Sequence, residues 1–421
     1  MEVGDRIRVG IIGTGGIFEG WGGGSGHLPA YPWVVKDAKV VALCDVNEEN
    51  LKRGEYALKR LYEKMAREYE SLGYPDYVEL LRADSRDVRL YTDLDSMLES
   101  EEIDLADILT PCETHMEHVI KCLEAGCHVM CEKPLTRTWL EALEIVKAVK
   151  RTGRLFQYNE QQIYTPLFHS IRQLIRKGEI GELECVWISD SIGMPSWKYT
   201  KGGVGALLDL GSHSIIKSWF LIGFDYIPKR VRTLSPEGIS IRVKEGYDHG
   251  ILRTLKVEDD AHFNVEFEDP STGRWVNAYI EASWSYRDSH GLRIVGSKGE
   301  IKVVNDAIEV IDVFGNSRKV EPWRESWLRE PPPPAYNGFP QEIKAMLNCI
   351  KENARPLCDE KIAAESIAAL NACYLSEAKG RTAIYLNEFK EMALKIMKEK
   401  GEKAYESLLK TLVEEALAKK L

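Results

Sequence analysis

The chain has 421 residues, too many for one compact core, and its 44% hydrophobic and 29% charged residues imply a globular protein of two domains. A net charge of −10 disfavours nucleic acid and anionic membrane as partners, because both reward a basic face. No apolar run approaches the roughly 20 residues of a spanning helix, the first residues show no leader, and an odd nine cysteines suit a reducing cytoplasm better than a disulfide framework, so the expected location is cytoplasmic.

Residues 7–12 (IRVGII) read as a buried parallel strand, and Gly13, Gly15 and Gly16 follow at once, with Ile17 behind them. A strand entering a glycine loop can bring backbone N–H groups against a pyrophosphate, the first glycine allowing the turn and the second the close approach. Where the G-x-G-x-x-G pattern calls for a third glycine the chain has Phe18, so the loop alone could also be a plain turn. A second strand, residues 40–44 (VVALC), ends in Asp45. An acid there can bind the adenosine ribose and repel a 2′-phosphate, which favours NAD over NADP. It could instead cap the next helix. The long spacing to Asp45 reflects a glycine-rich insert at residues 20–26, expected either to cover the dinucleotide or to shape the mouth of its pocket.

Residues 51–81 read as one long charged helix, residues 93–98 as a short one, and residues 105–109 (LADIL) as the next strand. Alternating strands and helices imply an α/β Rossmann domain with a doubly wound parallel sheet, over residues 1–156. Thr110, Pro111 and His115 open the following helix, and a strand at 128–131 delivers Glu132, Lys133 and Pro134 to the carboxyl edge of the sheet, where ligands bind in such folds.

With T-P-x-x-x-H at 110–115 and G-x-H-V-x-x-E-K-P at 126–134, the chain resembles the glucose–fructose oxidoreductase / inositol dehydrogenase / MocA family. Residues 178–181 (GEIG), 202–213 (GGVGALLDLGSH), 257–260 and 294–299 resemble further family segments, so the likeness covers roughly residues 5–390. It implies a second, α+β domain at 157–386 with a large open, mostly antiparallel sheet, a return helix at 339–352, and a homodimer or homotetramer formed through that sheet. A C-terminal helical tail, 387–421, lies outside it and is expected to pack on its own subunit rather than bridge to another. The resemblance makes Lys133, Asp209 and His213 catalytic. It places Gly13, Gly15, Gly16, Ile17, Asp45, Thr110, Pro111, His115, Glu132 and Lys133 at the dinucleotide.

Asp209 and His213 are four apart, which on a helix puts them on one face. A histidine suits removal of a hydroxyl proton, and a carboxylate can orient it. Lys133 would position the hydroxyl and stabilise alkoxide character. Asn159, Gln161, Trp197, Lys198 and Tyr199 are candidate substrate contacts beside Lys133, Asp209 and His213. The chain departs from the family where an acid is usual three residues past the histidine; here stands Ile216, and Cys112 stands where asparagine is usual. The histidines and cysteines of 112–131 lack the spacing of a metal site, so none is expected. The expected activity is NAD-dependent oxidation of a secondary hydroxyl of a sugar, inositol or other polyol. The alternatives are a glycosidase working through transient sugar oxidation with retained NAD, and a non-catalytic dinucleotide-binding sensor.

Overall fold

The computed structural model describes residues 6–20, 25–193, 204–235, 238–248, 251–286, 291–304, 307–323 and 337–418. Two compact units interleave along the chain. Met1–Leu135, Glu144–Pro166 and Arg324–Glu360 make the first, and Thr136–Leu143, Leu167–Trp323 and Lys361–Leu421 the second.

The first unit is built on β1 (Ile7–Ile12), α1 (Gly16–Glu19), β2 (Ala38–Cys44), α2 (Glu48–Ser71), α3 (Pro75–Asp87), β3 (Arg89–Tyr91), α4 (Leu94–Ser100), β4 (Leu105–Ile108), α5 (Cys112–Glu124), β5 (His128–Cys131), α6 (Trp139–Thr152) and β6 (Phe156–Tyr158). All six strands run parallel in the order β3-β2-β1-β4-β5-β6. This is the doubly wound sheet expected, and strand order reverses between β1 and β4, where such sheets open a crevice at their carboxyl ends. The central strands are apolar on both faces because helices cover both: Val9, Ile11, Leu43 and Leu105 are fully buried.

The long helix expected at 51–81 is two helices. Gly73, at φ +81°, breaks the chain after α2, and Pro75 opens α3. The helix Phe339–Glu352 was expected in the second domain. It belongs to the first unit, where Phe339, Ile343, Met346 and Leu347 join the same core as Ile7, Val9 and Leu105. Sequence order misleads here because the chain leaves the second unit at Trp323, returns to its first core, and re-enters the second unit at Lys361.

The second unit contains α7 (Pro166–Arg176), β7 (Leu183–Ser191), α8 (Ala206–Asp209), α9 (Gly211–Ile222), β8 (Ile227–Thr233), β9 (Ile239–Ser240), β10 (Glu245–Asp248), β11 (Ile251–Thr254), β12 (Asp260–Glu268), β13 (Trp275–Ser283), β14 (Leu292–Gly296), β15 (Gly299–Val304), β16 (Ala307–Asp312), β17 (Ser317–Val320) and β18 (Ile384–Tyr385). The large sheet runs β17-β16-β15-β14-β7-β13-β12-β8-β18, with β9 beside β12. Among the described strands of this sheet, only β7 and β13 pair in parallel. On β13 the alternation is clean: Val276, Ala278, Ile280 and Ala282 are buried, while Asn277, Tyr279 and Glu281 face outward. On the outward face Trp187 stacks on Tyr279 with ring centres 4.1 Å apart.

The tail forms two helices, Leu386–Lys400 and Ala404–Leu417, separated at Gly401, whose φ is +55°. Phe389, Ala393, Leu408 and Leu412 are buried, and Lys390 pairs with Glu365 at 2.6 Å, so the tail packs on its own unit. The proline run at 331–334 lies outside the described residues. No helix among the described residues is long and apolar enough to cross a membrane.

Candidate functional site

The glycine loop leaves β1 at its carboxyl end. Gly13 sits at φ +98°, and a Cβ there would lie 2.9 Å from the Leu109 carbonyl, so both conformation and space demand glycine. Gly15 caps α1, and a Cβ on it would meet nothing within 4 Å. Its bare face is open, as a loop that admits a pyrophosphate to its backbone requires. Gly16 is exposed and Ile17 half-buried, its carbonyl accepting the His27 amide at 3.2 Å. Phe18, standing at the third glycine position, is fully buried against α2. Space for it comes from Gly54: a Cβ there would be 3.2 Å from the Phe18 ring and 2.9 Å from Thr14 Cβ. The close approach of helix to strand is preserved, with the glycine moved to the facing helix.

Asp45 follows β2. One carboxylate oxygen accepts the Thr14 amide at 2.9 Å and its hydroxyl at 3.1 Å; the other accepts the Asn47 amide at 2.9 Å. It is not the cap of α2. That role falls to Asn47, whose side chain accepts the amides of Glu49 and Asn50. Asp45 thus ties the glycine loop to the second strand.

At the same carboxyl edge, β5 delivers Glu132, Lys133 and Pro134. Glu132 is buried, and its carboxylate accepts the Lys133 amide at 3.0 Å. Lys133 itself is half-buried. Pro111 opens α5, and the Thr110 hydroxyl meets His118 at 3.1 Å and Thr114 at 2.9 Å. His115 is completely buried. Its ring nitrogens face the carbonyls of Thr110 (2.6 Å), Pro134 (3.1 Å) and Leu135 (3.0 Å), and burial lowers its basicity. The ring lies between the T-P loop and the Lys133 turn, and a neutral imidazole donates its one N–H to one of the two. Asn159, one residue past β6, is 1% exposed, and neither atom of its amide has a hydrogen-bond partner among the described residues. Gln161 is half-buried at the start of a short 3-10 turn. Trp197, Lys198 and Tyr199 lie outside the described residues, as do residues 21–24 of the glycine-rich insert. The insert's base is tight: a Cβ on Gly26 would be 2.6 Å from Gly20 Cα.

In the second unit, Asp209 ends α8 and His213 lies in the first turn of α9. Leu210 between them keeps helical angles, and the Ser214 amide bonds its carbonyl at 3.2 Å, so the two side chains are one helical turn apart. Both are half-buried. The start of α8 is pinned by Glu258, which accepts the Leu207 amide at 3.1 Å and the Tyr374 hydroxyl at 2.8 Å; Gly205 leaves room for that carboxylate. Ile216, in place of the usual acid, is fully buried. A carboxylate arrives from elsewhere. Asp190 on β7 accepts the Ser214 hydroxyl and pairs with Lys217 Nζ at 2.6 Å. Burial opposes its charge, but Lys217, His213 and Ser214 outweigh this and hold it below the usual carboxylate range. Nothing in the local spacing around His213 pointed to Asp190. Among the described residues no group of histidine, cysteine and acidic side chains is arranged to hold a metal.

The model of the oxidoreductase family's NAD-binding Rossmann fold matches residues 7–160, and that of the family's C-terminal alpha/beta domain matches residues 172–385. The chain belongs to the Gfo/Idh/MocA oxidoreductase family. D-glucoside 3-dehydrogenase of Escherichia coli is 28% identical over 191 residues, covering 43% of this chain and 53% of that protein. Levoglucosan dehydrogenase of Pseudarthrobacter phenanthrenivorans is 28% identical over 228 residues, covering 50% and 57%. The NAD-dependent scyllo-inositol 2-dehydrogenase of Bacillus subtilis is 24% identical over 267 residues, covering 62% and 71%. The chain thus spans about half the length of the first two of these relatives. Among solved structures, aldose-aldose oxidoreductase of Caulobacter crescentus superposes with a TM-score of 0.67 at 20% identity, over 90% of this chain and 99% of the other, which shows that the two share a fold.

Proposed function

We propose that this Gfo/Idh/MocA protein is an NAD-dependent dehydrogenase that oxidises a secondary hydroxyl of a sugar, inositol or other polyol. The observation that carries the reading is the shared carboxyl edge of the parallel sheet, where the open Gly15 loop, Asp45 and the Glu132–Lys133 turn all emerge. The bare Gly15 fits a dinucleotide's pyrophosphate, and the Asp45 carboxylate fits an unphosphorylated ribose better than a 2′-phosphate. The relatives named above, dehydrogenases of sugars and of an inositol, support the substrate class.

Gly13, Gly15, Gly16 and Ile17 would hold the pyrophosphate, Asp45 the adenosine ribose, and Thr110, Pro111, Glu132 and Lys133 the nicotinamide end. The nicotinamide, when bound, supplies the hydride acceptor. Lys133 donates a hydrogen bond to the reacting hydroxyl oxygen and stabilises the negative charge that develops there. His213 takes the hydroxyl proton, and Asp209 orients its ring. Asn159 and Gln161 are proposed substrate contacts. Self-association is proposed through the outer face of the large sheet, where Trp187 and Tyr279 stack.

The test is reduction of NAD by the purified protein with a panel of inositols and aldoses. Turnover that falls at least about 100-fold in Lys133→Ala and His213→Ala supports the reading, on the scale of lost acid–base and electrostatic groups. No turnover by the wild type, or undiminished turnover in Lys133→Ala, overturns it.

A further inference from the structure

His27 lies in the first unit, just past the glycine-rich insert, and no part of its side chain is exposed. Its Nδ1 is 2.9 Å from Asp107 on β4, and its Nε2 is 3.0 Å from Glu132. The Tyr31 hydroxyl donates to the same Asp107 oxygen at 2.7 Å. The ring edge meets Phe339 at 5.4 Å between centres. Glu132 Oε1 takes the imidazole, and its other oxygen, Oε2, accepts the Lys133 amide. A continuous chain therefore runs from Asp107 through His27 and Glu132 to the backbone of Lys133.

We propose that His27 is a positioning residue for Lys133, acting through Glu132, whose carboxylate it locks in the orientation that holds the Lys133 turn. The proposal rests on the reading of Lys133 as a group that meets the substrate hydroxyl. The physical reason is that a carboxylate buried beside a turn needs its oxygens aimed. A hydrogen bond to one oxygen fixes the plane in which the other faces Lys133 N–H. A ring held at both nitrogens cannot rotate, so Glu132 cannot either.

The charge of the assembly is consistent with this. Burial opposes protonation of His27, but Asp107 and Glu132 outweigh it and hold the ring well above the ordinary imidazole range, with both nitrogens donating. Among the described residues, other ionisable groups facing the assembly include Tyr31, His115, Cys131, Glu342 of the helix Phe339–Glu352, and Glu160. Glu342 is completely buried; burial pushes it well above the carboxylate range, with Glu132, Glu160 and Asp107 adding to this and His27 opposing it.

The experiment uses two replacements that each keep one donor. Asn places its amide near Nδ1 and loses the contact with Glu132; Gln places its amide near Nε2 and keeps it. His27→Asn is expected to lower kcat roughly 10- to 100-fold, as a small misplacement of a catalytic group does, with KM for NAD nearly unchanged. His27→Gln should recover most of that loss. In a Lys133→Ala background His27→Asn should have no further effect on kcat, since the group it positions is gone. Equal losses in the two replacements, or a loss of the same factor in the Lys133→Ala background, would overturn the proposal. If His27→Asn fails to fold, nitrogen-15 histidine spectra of the wild type decide. One of the nine histidines should stay doubly protonated far above 6.5, and a His27 that titrates near 6.5 would refute the lock. Failure of the wild type to oxidise any polyol is a different outcome: it removes the proposed function, and with it the role assigned here.

Discussion

Gly54 of α2 packs so closely on the glycine loop that a methyl group in its place would come within 2.9 Å of Thr14 Cβ and 3.2 Å of the Phe18 ring. Phe18 thereby occupies the position of a fingerprint glycine without pushing the helix away. Gly54→Ala gains about 1 kcal/mol of helix propensity and incurs about 1–3 kcal/mol of overpacking. The net expected change in stability is small, while the displaced Thr14 loosens the loop. Thermal unfolding should shift by a few degrees at most, and the dissociation constant for NADH should rise several-fold. An unchanged NADH affinity with a large drop in melting temperature would contradict this.

Asp45 binds Thr14 twice and Asn47 once. Asp45→Asn keeps an acceptor for part of that set but removes the charge that would repel a 2′-phosphate. The preference for NAD over NADP, measured as a ratio of kcat/KM values, is expected to fall by about tenfold, which corresponds to about 1.4 kcal/mol. An unchanged ratio would remove Asp45 from cofactor selection and leave it a loop tie alone.

Asp190 pairs with Lys217, which is 3% exposed, at 2.6 Å. Asp190→Asn removes the carboxylate charge beside a buried ammonium, and the expected cost is about 3 kcal/mol at pH 7. Because Asp190 is held below the usual carboxylate range, its contribution is fully present above the ordinary value of 3.8 and is lost as pH falls through its lower folded value. The stability gap between wild type and Asp190→Asn should therefore close below pH 3.8, as urea unfolding at several pH values would reveal. A gap that stays constant into acid would mean the carboxylate charge is not what stabilises the pair.

Arg6 grips Asp84 through two hydrogen bonds, of 2.6 and 3.0 Å, and the Asp84 side chain is 1% exposed. Arg6→Met strands that carboxylate, at an expected cost of about 3 kcal/mol. The pair lies far along β1 from the glycine loop, so kcat and NADH affinity of the folded fraction should stay at wild-type values. Loss of activity beyond the loss of folded protein would show that β1 transmits strain to its carboxyl end.

Trp187 is 46% exposed, and it stacks on Tyr279 on the outer face of the large sheet. Replacing both by Ser should shift the protein to a smaller species in sedimentation if that face joins subunits. A mass unchanged from wild type would place the interface elsewhere or exclude one.

The residues that bear chemistry by type were readable from the chain. Gly13 needed its positive φ, and β1, β2 and β5 needed apolar runs on both faces, so periodicity located each strand within a residue or two. Asp45 and Lys133 were found because each ends such a strand. What stayed hidden were partners distant in sequence. His115 was readable as a family position, but its contacts with the Pro134 and Leu135 carbonyls were not, because only the fold brings them to its ring. Asp190 is 23 residues from His213 and comes from another element, so no local spacing could name it as a carboxylate beside that helix.

By itself, then, the sequence determined the parallel sheet, the glycine loop, the acid at the second strand and the lysine turn, because each is a local pattern enforced by backbone geometry and by the alternation of strand and helix. The tertiary structure alone decided that Gly54 makes room for Phe18, that the helix Phe339–Glu352 returns to the first core, and that His27 is clamped between Asp107 and Glu132. Those relationships join residues dozens to hundreds of positions apart, and only the packing of one buried surface on another brings them within hydrogen-bond or van der Waals reach.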